Sequence, residues 1–314
     1  MSLLADYLLL SLTSFSWILY LLLLIMLIKL RQKEPFNSSF FAICIDDGLG
    51  SVVSILVRYL GVFLPLRGWL PIGICLHHTD LWGRAVQMTR YGLFFSQYSD
   101  ALLIAFNRFC AVAWPFSYDQ LWALRRLVII LALKWFLCLA AALPLAFLKY
   151  RCFTFGLNGS AATIYFVKLK DKQILSLYDH STAIFGTVCI LCIVLLYIAS
   201  FILLPRENAA GSGRGHRLEV NLLLAGCCLS IPMAVYLTLL WLLAFNMRTT
   251  VFRYSFLFEV FLDVFCWNDV YVLLTVSEKT RKYFWAFLTG RLSAREVSSN
   301  SREARTELAQ IKLS

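Results

Sequence analysis

Residues 7 to 28 contain no charged side chain. A stretch of this kind suits the hydrocarbon core of a bilayer, which a helix of about 20 apolar residues crosses. Inside that core every backbone N–H and C=O must be satisfied within the structure, so helices and closed barrels are the only spanning geometries. Nothing in the chain alternates at period two as spanning strands must, so strands are not expected. The stretch lacks a basic leading region and exceeds the apolar core of a signal peptide, so it reads as a true span.

Six further apolar runs follow, at about 40–64, 86–112, 127–148, 180–204, 218–245 and 251–276. The overall content agrees: 60% of residues are hydrophobic, against about 45–50% in soluble domains. The expected fold class is therefore an all-α membrane protein, a seven-transmembrane helix bundle filling residues 1–288. Lys29, Arg31, Lys33, Arg108, Arg125, Arg126 and the basic residues after Val276 predict an N-terminus outside and a C-terminus inside. The sequon Asn158-Gly159-Ser160 then falls in an outer loop at 149–179, and glycosylation is predicted at Asn158. The second sequon, at Asn37, falls inside and is expected to stay silent. Residues 205–217 are Gly- and Ser-rich and read as a flexible inner loop. At 278–288, Phe284, Phe287 and Leu288 follow Lys279, Arg281 and Lys282. That spacing predicts a short amphipathic helix on the inner leaflet. Residues 289–314 read as a disordered cytoplasmic tail.

The net charge of +11 fits basic loops beside anionic lipid, and no nucleic-acid partner is expected. Eight of the ten cysteines lie in apolar runs and act as small hydrophobes. Only Cys75 and Cys152 lie in polar loops, so they form the one candidate disulfide. No Cys/His spacing reads as a zinc site, and no Ser-His-Asp or His-Glu-x-x-His arrangement is present. The group Cys75, His77, His78 and Asp80 reads as a solvated loop. No metal, no cofactor and no enzymatic activity is expected.

The predicted spans carry Asp46, Asp47, Arg58, Arg90, Asp100, Lys134, Glu259, Asp263 and Asp269. Each costs about 2.5–3.5 kcal/mol on insertion scales, so such groups face the bundle interior and pair. Helical geometry sorts them into two layers. Arg58, Arg90 and Glu259 lie toward the outside, as a candidate ligand site. Asp47, Asp100, Asp263 and Asn268 lie deeper. Two arginines suit a ligand with a carboxylate or phosphate, which the guanidinium fork grips bidentately. Lys134, beside Trp135, is placed to snorkel toward the inner surface. Pro232 removes a backbone hydrogen bond in the sixth span and makes it a candidate hinge. The structural alternative for any of these charges is interhelical glue. The functional alternative is a transporter or channel with a buried relay, although no internal repeat is visible.

The third run closes on Asn107-Arg108-Phe109, followed by Trp114-Pro115-Phe116, Tyr118 and Trp122. Seven spans, an arginine closing the third and a basic amphipathic helix after the seventh resemble a G-protein-coupled receptor. The rhodopsin-like class has an acidic residue before that arginine; here Asn107 stands there. The seventh helix of that class ends Asn-Pro-x-x-Tyr; here it is Asn268-Asp269-Val270-Tyr271. Together with Pro35 to Phe40 leading into Asp46-Asp47-Gly48, the pattern is similar to the nematode serpentine chemoreceptors, of the gamma-class (Srg-like) superfamily. The resemblance implies a chemosensory receptor for a small molecule that activates a heterotrimeric G protein. It implies location in the plasma membrane, with a sensory cilium as the finer expectation. Arg108 is then the G-protein contact, Asp47 couples to Asn268 and Tyr271, and Pro232 is the kink proline. Asn107 replaces the acid of the usual ionic latch, and Cys75–Cys152 is the available substitute for the usual disulfide.

Overall fold

The computed structural model describes residues 3–33, 36–64, 79–156, 163–169, 172–208, 230–242, 245 and 255–290. Helix α1 is Leu3–Lys29. Helix α2, Ser39–Arg58, runs on into a π-helical turn, Tyr59–Phe63. Helix α3 is Thr79–Ala113, and α4 is a single turn, Tyr118–Leu121. Helix α5, Leu124–Ala142, ends in a 3-10 stretch, Leu143–Phe147. After a hairpin of β1 (Tyr150–Gly156) and β2 (Thr163–Leu169) come α6 (Lys172–Asn208) and α7 (Ser230–Leu242). Helices α8 (Ser255–Val276) and α9 (Glu278–Leu288) close the bundle. The predicted tail beyond 290, the 209–217 part of the inner loop, the 218–229 and 243–244 parts of the sixth run, the 251–254 part of the seventh, Cys75 and Asn158 lie outside the described residues.

Polarity is distributed inside out. Leu8, Leu12, Phe15 and Ile18 of α1, Val128, Ile129, Phe136 and Leu137 of α5, and Leu191, Leu195 and Ile202 of α6 are exposed. Asp47, Arg58, Asp100, Asn107, Lys134 and Asp263 are buried. Apolar faces of this extent are rare on soluble monomers; lipid is the solvent that accepts them. Among the described residues, four helices, within 6–29, 39–61, 124–147 and 176–203, are long and apolar enough to cross a membrane. The α3–α4 stretch adds a fifth if its bent halves form one span.

Helix α3 is the axis of the bundle. It packs against α2, α5, α6 and β1. Its Tyr91, Phe94, Phe95 and Tyr98 build one core with Cys189 and Ile193 of α6 and with Met233 and Tyr236 of α7. Close approach is permitted by Gly186, where a Cβ would meet Tyr98 at 2.9 Å and Leu237 at 3.0 Å. Small residues at helix contacts serve this purpose in membranes. Helix α3 stops at Trp114, whose backbone (φ −138°, ψ 63°) leaves the helical region. Pro115 restricts the residue before it, and the chain turns by 115° there.

The hairpin corrects the expectation of no strands. Tyr150 pairs with Leu169 and Gly156 with Thr163, antiparallel. Tyr, Phe and Thr recur in both arms, and the second adds Ile and Val, a composition that favours strands. A pair this short and outside the apolar runs leaves no mark on a search for spanning strands. Its root is tied to α3: the Tyr150 N–H donates to Asp80 at 2.8 Å, and Arg84 Nε donates to the Leu148 carbonyl at 3.2 Å. The Tyr150 hydroxyl donates to the Leu145 carbonyl at 3.0 Å, and burial pushes the phenol up to about 12.

Two placements of charge also differ from expectation. Lys134 does not snorkel. It is buried, with Nζ 2.8 Å from both Asp100 oxygens and in contact with Asp46. Trp135 Nε1 donates to the other Asp46 oxygen at 3.0 Å. Two carboxylates on neighbouring helices outweigh the reach of one lysine stem to an interface. Asp263 is not in a deeper layer than Arg58; the two form an ion pair across α2 and α8. Asp263 also accepts from Thr13 at 2.7 Å and Tyr59 at 3.0 Å. Helix-period arguments fix angles within one helix but not the vertical offset between helices, which packing sets.

Candidate functional site

Three polar features lie along α3. The first is a cleft at the hairpin end, about 680 Å³ with its open mouth included. Its lining comes from α2 (Ser54, Val57, Arg58), α3 (Val86, Arg90, Tyr91, Phe94, Gln97), α6 (Asp179, Thr182) and α7 (Tyr236, Leu240). Arg58 and Arg90 of the predicted ligand site thus share one cleft. Glu259 lies on α8, but its side chain is outside the described residues. Tyr91 donates to Asp179 at 2.9 Å. Asp179 was not a predicted site residue; the only signal for it is an acid at the head of an apolar run.

The second feature is a cavity of about 480 Å³ below the first, lined by Asp47, Ser51, Gln97, Met233, Phe265 and Asp269 among others. Gln97 belongs to both linings. It donates to Ser51 Oγ at 3.1 Å and to Cys266 Sγ at 3.6 Å. Asp47 meets Asp269 of α8 here, whereas Tyr271 turns away and pairs with Ser16 of α1 at 2.9 Å. The partner of Asp47 is therefore Asp269, not Tyr271. Asn268 is half-buried on the same helix. An aromatic layer, Tyr98, Tyr236 and Phe265, lies beside both cavities; Tyr236 and Phe265 stack at 5.5 Å and 11°. Tyr98 donates to the carbonyl of Met233, one residue after Pro232, at 3.4 Å.

The third feature lies at the other end of α3. Asn107 is fully buried. Its Nδ2 donates to Ser39 Oγ at 2.9 Å, and its Oδ1 accepts from the Tyr118 hydroxyl at 3.1 Å. Ser39 and Tyr118 close the triangle at 2.8 Å. Next to it, the Arg108 guanidinium carbon sits 3.7 Å from the centre of the Phe40 ring, a cation–π contact. Consecutive residues of α2, Ser39 and Phe40, thus hold consecutive residues of α3, Asn107 and Arg108. Ser39 and Phe40 carried no predicted role beyond membership of a motif. An apolar ring gives no sequence signal as the partner of an arginine.

Helix α9 begins at Ser277, whose hydroxyl accepts from the Thr280 N–H at 3.2 Å, an N-cap. Phe284 packs into the core formed by α1, α2 and the Arg108 end of α3, while Trp285 is exposed. On its exposed face the Glu278–Lys282 contact at 2.6 Å holds the Glu278 carboxyl below its ordinary value. The predicted pair Cys75–Cys152 is not described, since Cys75 and the side chain of Cys152 lie outside the described residues.

The chain matches the family model of the serpentine type 7TM GPCR chemoreceptor Srv over residues 9–289. A comparison with curated proteins finds no match. The family shown is Srv, a different one from the Srg-like group that the motifs resembled. The match runs from α1 to the end of α9, so it takes in the cleft, the cavity and the Asn107–Arg108 clamp together. Apolar outer faces and a seven-transmembrane family make the protein an integral membrane protein of receptor type. The chain belongs to the Srv family of serpentine seven-transmembrane chemoreceptors.

Proposed function

We propose that this receptor binds a small molecule with an anionic group in the α2–α3–α6–α7 cleft. Binding there activates a heterotrimeric G protein at the Arg108 end. The observation that carries this reading is the length of α3. One unbroken helix brings Arg90 to the cleft and Arg108 to the clamp, about 27 Å apart at 1.5 Å per residue. Arg90 and Arg58 supply guanidinium donors for the anion, and Glu259 is assigned to the same site. In this reading the N-terminus and the hairpin are outside, Asn158 is glycosylated and Cys75–Cys152 ties the outer loops. Spans at 218–245 and 251–276 complete the seven. Helix α9 lies on the inner leaflet with Trp285 toward lipid. The receptor resides in the plasma membrane, at a sensory cilium.

The switch is a population shift: ligand binds the state with open inner ends more tightly. The Ser39–Phe40 clamp replaces the ionic latch that Asn107 cannot form. Pro232 gives α7 the freedom to swing, and the Tyr98–Tyr236–Phe265 layer passes the movement from cleft to hinge. The test uses cells carrying a promiscuous G protein with a calcium readout. Arg108→Ala should abolish ligand-evoked calcium at unchanged surface expression. Full signalling by that variant sinks the assignment of the Arg108 end as the coupling face.

A further inference from the structure

We infer that the corner joining α3 to α5 is an anionic-lipid site, with Phe116 and Leu124 against the inner leaflet and Arg125 and Arg126 on the phosphate of a headgroup. This rests on the reading that the Arg108 end faces the cytoplasm, the side on which anionic lipid collects; it does not depend on the cleft. The corner carries bare apolar side chains. Phe116 is 100% exposed and Leu124, at the start of α5, is 66% exposed. Trp114 is half exposed, with its ring edge-on to Phe109 at 5.5 Å. Tyr118 and Trp122, between them in sequence, are the side chains that turn into the core. Water disfavours so much uncovered apolar surface at one turn.

The next helix shows what covers it. Arg125, Ile129, Leu133 and Phe136 are all exposed and recur at three- and four-residue intervals, so they share one face of α5. Arg126 heads the same face, seven residues before Leu133. The apolar members of that face belong to a helix long enough to cross the membrane, and lipid is their solvent. Two guanidinium groups at its head stand where hydrocarbon gives way to phosphate. A protein partner would have to displace acyl chains from the next turn of this face. A lipid fills both levels, its tails along Ile129 and Leu133 and its phosphate on the arginines. Charge agrees. Among the described residues neither arginine forms an ion pair. Asp119 is the exposed acid of α4, one carboxylate against two cations. A guanidinium grips a phosphate bidentately. The 115° bend at Trp114 turns α4 back toward the bilayer and not out into the cytosol. Trp114 and Phe116 thereby meet the interface, the level at which tryptophan concentrates.

The test titrates the purified full-length receptor in detergent with phosphatidylserine and with phosphatidylcholine, and reads bound lipid by native mass spectrometry. Each arginine beside an anionic surface is worth about fivefold in binding. Arg125→Gln combined with Arg126→Gln should therefore weaken the tightest phosphatidylserine site about 25-fold and leave phosphatidylcholine unchanged. Arg125→Lys with Arg126→Lys, which keeps both charges, should retain most of the binding. Phosphatidylserine binding by the glutamine variant equal to that of the unaltered receptor overturns the site, and so does an equal loss of both lipids. A second measurement places the photo-cross-linker p-benzoylphenylalanine at position 116 of the otherwise unaltered receptor, in cells that carry the G protein. Irradiation should join it to phospholipid. Cross-linking to a G-protein subunit and not to lipid makes the turn a protein contact and overturns the lipid assignment. A glycan at Asn37 overturns the choice of leaflet but leaves the detergent titration as expected, so orientation and site fail separately.

Discussion

Asn107 donates its amide to Ser39 at 2.9 Å, one residue before the arginine that stacks on Phe40 at 3.7 Å. This pairing holds α2 to the end of α3 without a charge at position 107. Each hydrogen bond of the triangle contributes about 1 kcal/mol, roughly a fivefold shift in a two-state equilibrium. Tyr118→Phe removes the hydroxyl that serves both partners, and with it two of the three bonds, so ligand-free calcium signalling should rise by between about fivefold and about 25-fold. Phe40→Leu should raise it as well by releasing Arg108. Basal activity at the unaltered level in both variants, at equal surface expression, would show that the clamp does not hold the receptor off.

Arg58 and Asp263 form a buried pair between α2 and α8. Removing one partner leaves an uncompensated charge, at a cost of about 3–5 kcal/mol. Arg58→Gln should therefore lower surface expression and thermal stability in detergent strongly. Adding Asp263→Asn should restore much of both. The double variant separates glue from ligand contact: an intact response there would assign Arg58 to packing and leave Arg90 as the cleft's anion-binding group.

Lys134 bridges Asp46 and Asp100. Lys134→Met should reduce the folded receptor at the surface several-fold. Asp100→Asn combined with Lys134→Met should recover part of the loss, since one fewer carboxylate is then stranded. Detergent melting curves of the purified proteins read this directly, and equal melting points for Lys134→Met and the unaltered chain would contradict it.

The helices were legible because uncharged runs such as 7–28 admit one geometry in lipid. The hairpin at Tyr150–Leu169 was not, because its arms are seven residues each, lie in a loop outside the apolar runs and do not alternate at period two. Buried charge was legible as a set of residues but not as pairs. Asp263 was placed below Arg58, and Lys134 at an interface, since contacts between helices depend on offsets that no single-helix pattern contains. Arg108 was recognisable from its position at the end of a span. Its partner Phe40 was not, because cation–π contacts use a residue that apolar patterning already explains. Asp179 escaped notice for the reason that an acid near a helix start is ordinary.

Tyr150 donates to the Leu145 carbonyl, and burial raises its phenol to about 12. The fold favours the neutral form. Its contribution is thus complete below the ordinary phenol value of about 10 and is lost as pH rises through about 12. The unaltered receptor should lose thermal stability in detergent over that window, and Tyr150→Phe should lose less over the same window while melting lower at neutral pH. A phenol titrating at the ordinary value in difference absorbance would refute the assignment.

Gln97 borders both the cleft and the cavity beneath it, with its amide bonded to Ser51 of α2 and Cys266 of α8. In the proposed reading it couples a ligand in the cleft to the Asp47–Asp269 layer. Gln97→Leu keeps the volume close to that of the amide but removes both hydrogen bonds. Ligand binding to the cleft should change by less than about threefold, because the charged contacts there are untouched. The maximal calcium response should fall by about half or more, because the cleft no longer biases α8. Gln97→Glu should keep the contact to Ser51 and so retain more signalling than the leucine variant. Binding and maximal response falling together in Gln97→Leu would make Gln97 a ligand contact and not a coupling residue. An unchanged maximal response would remove it from the path between the two cavities.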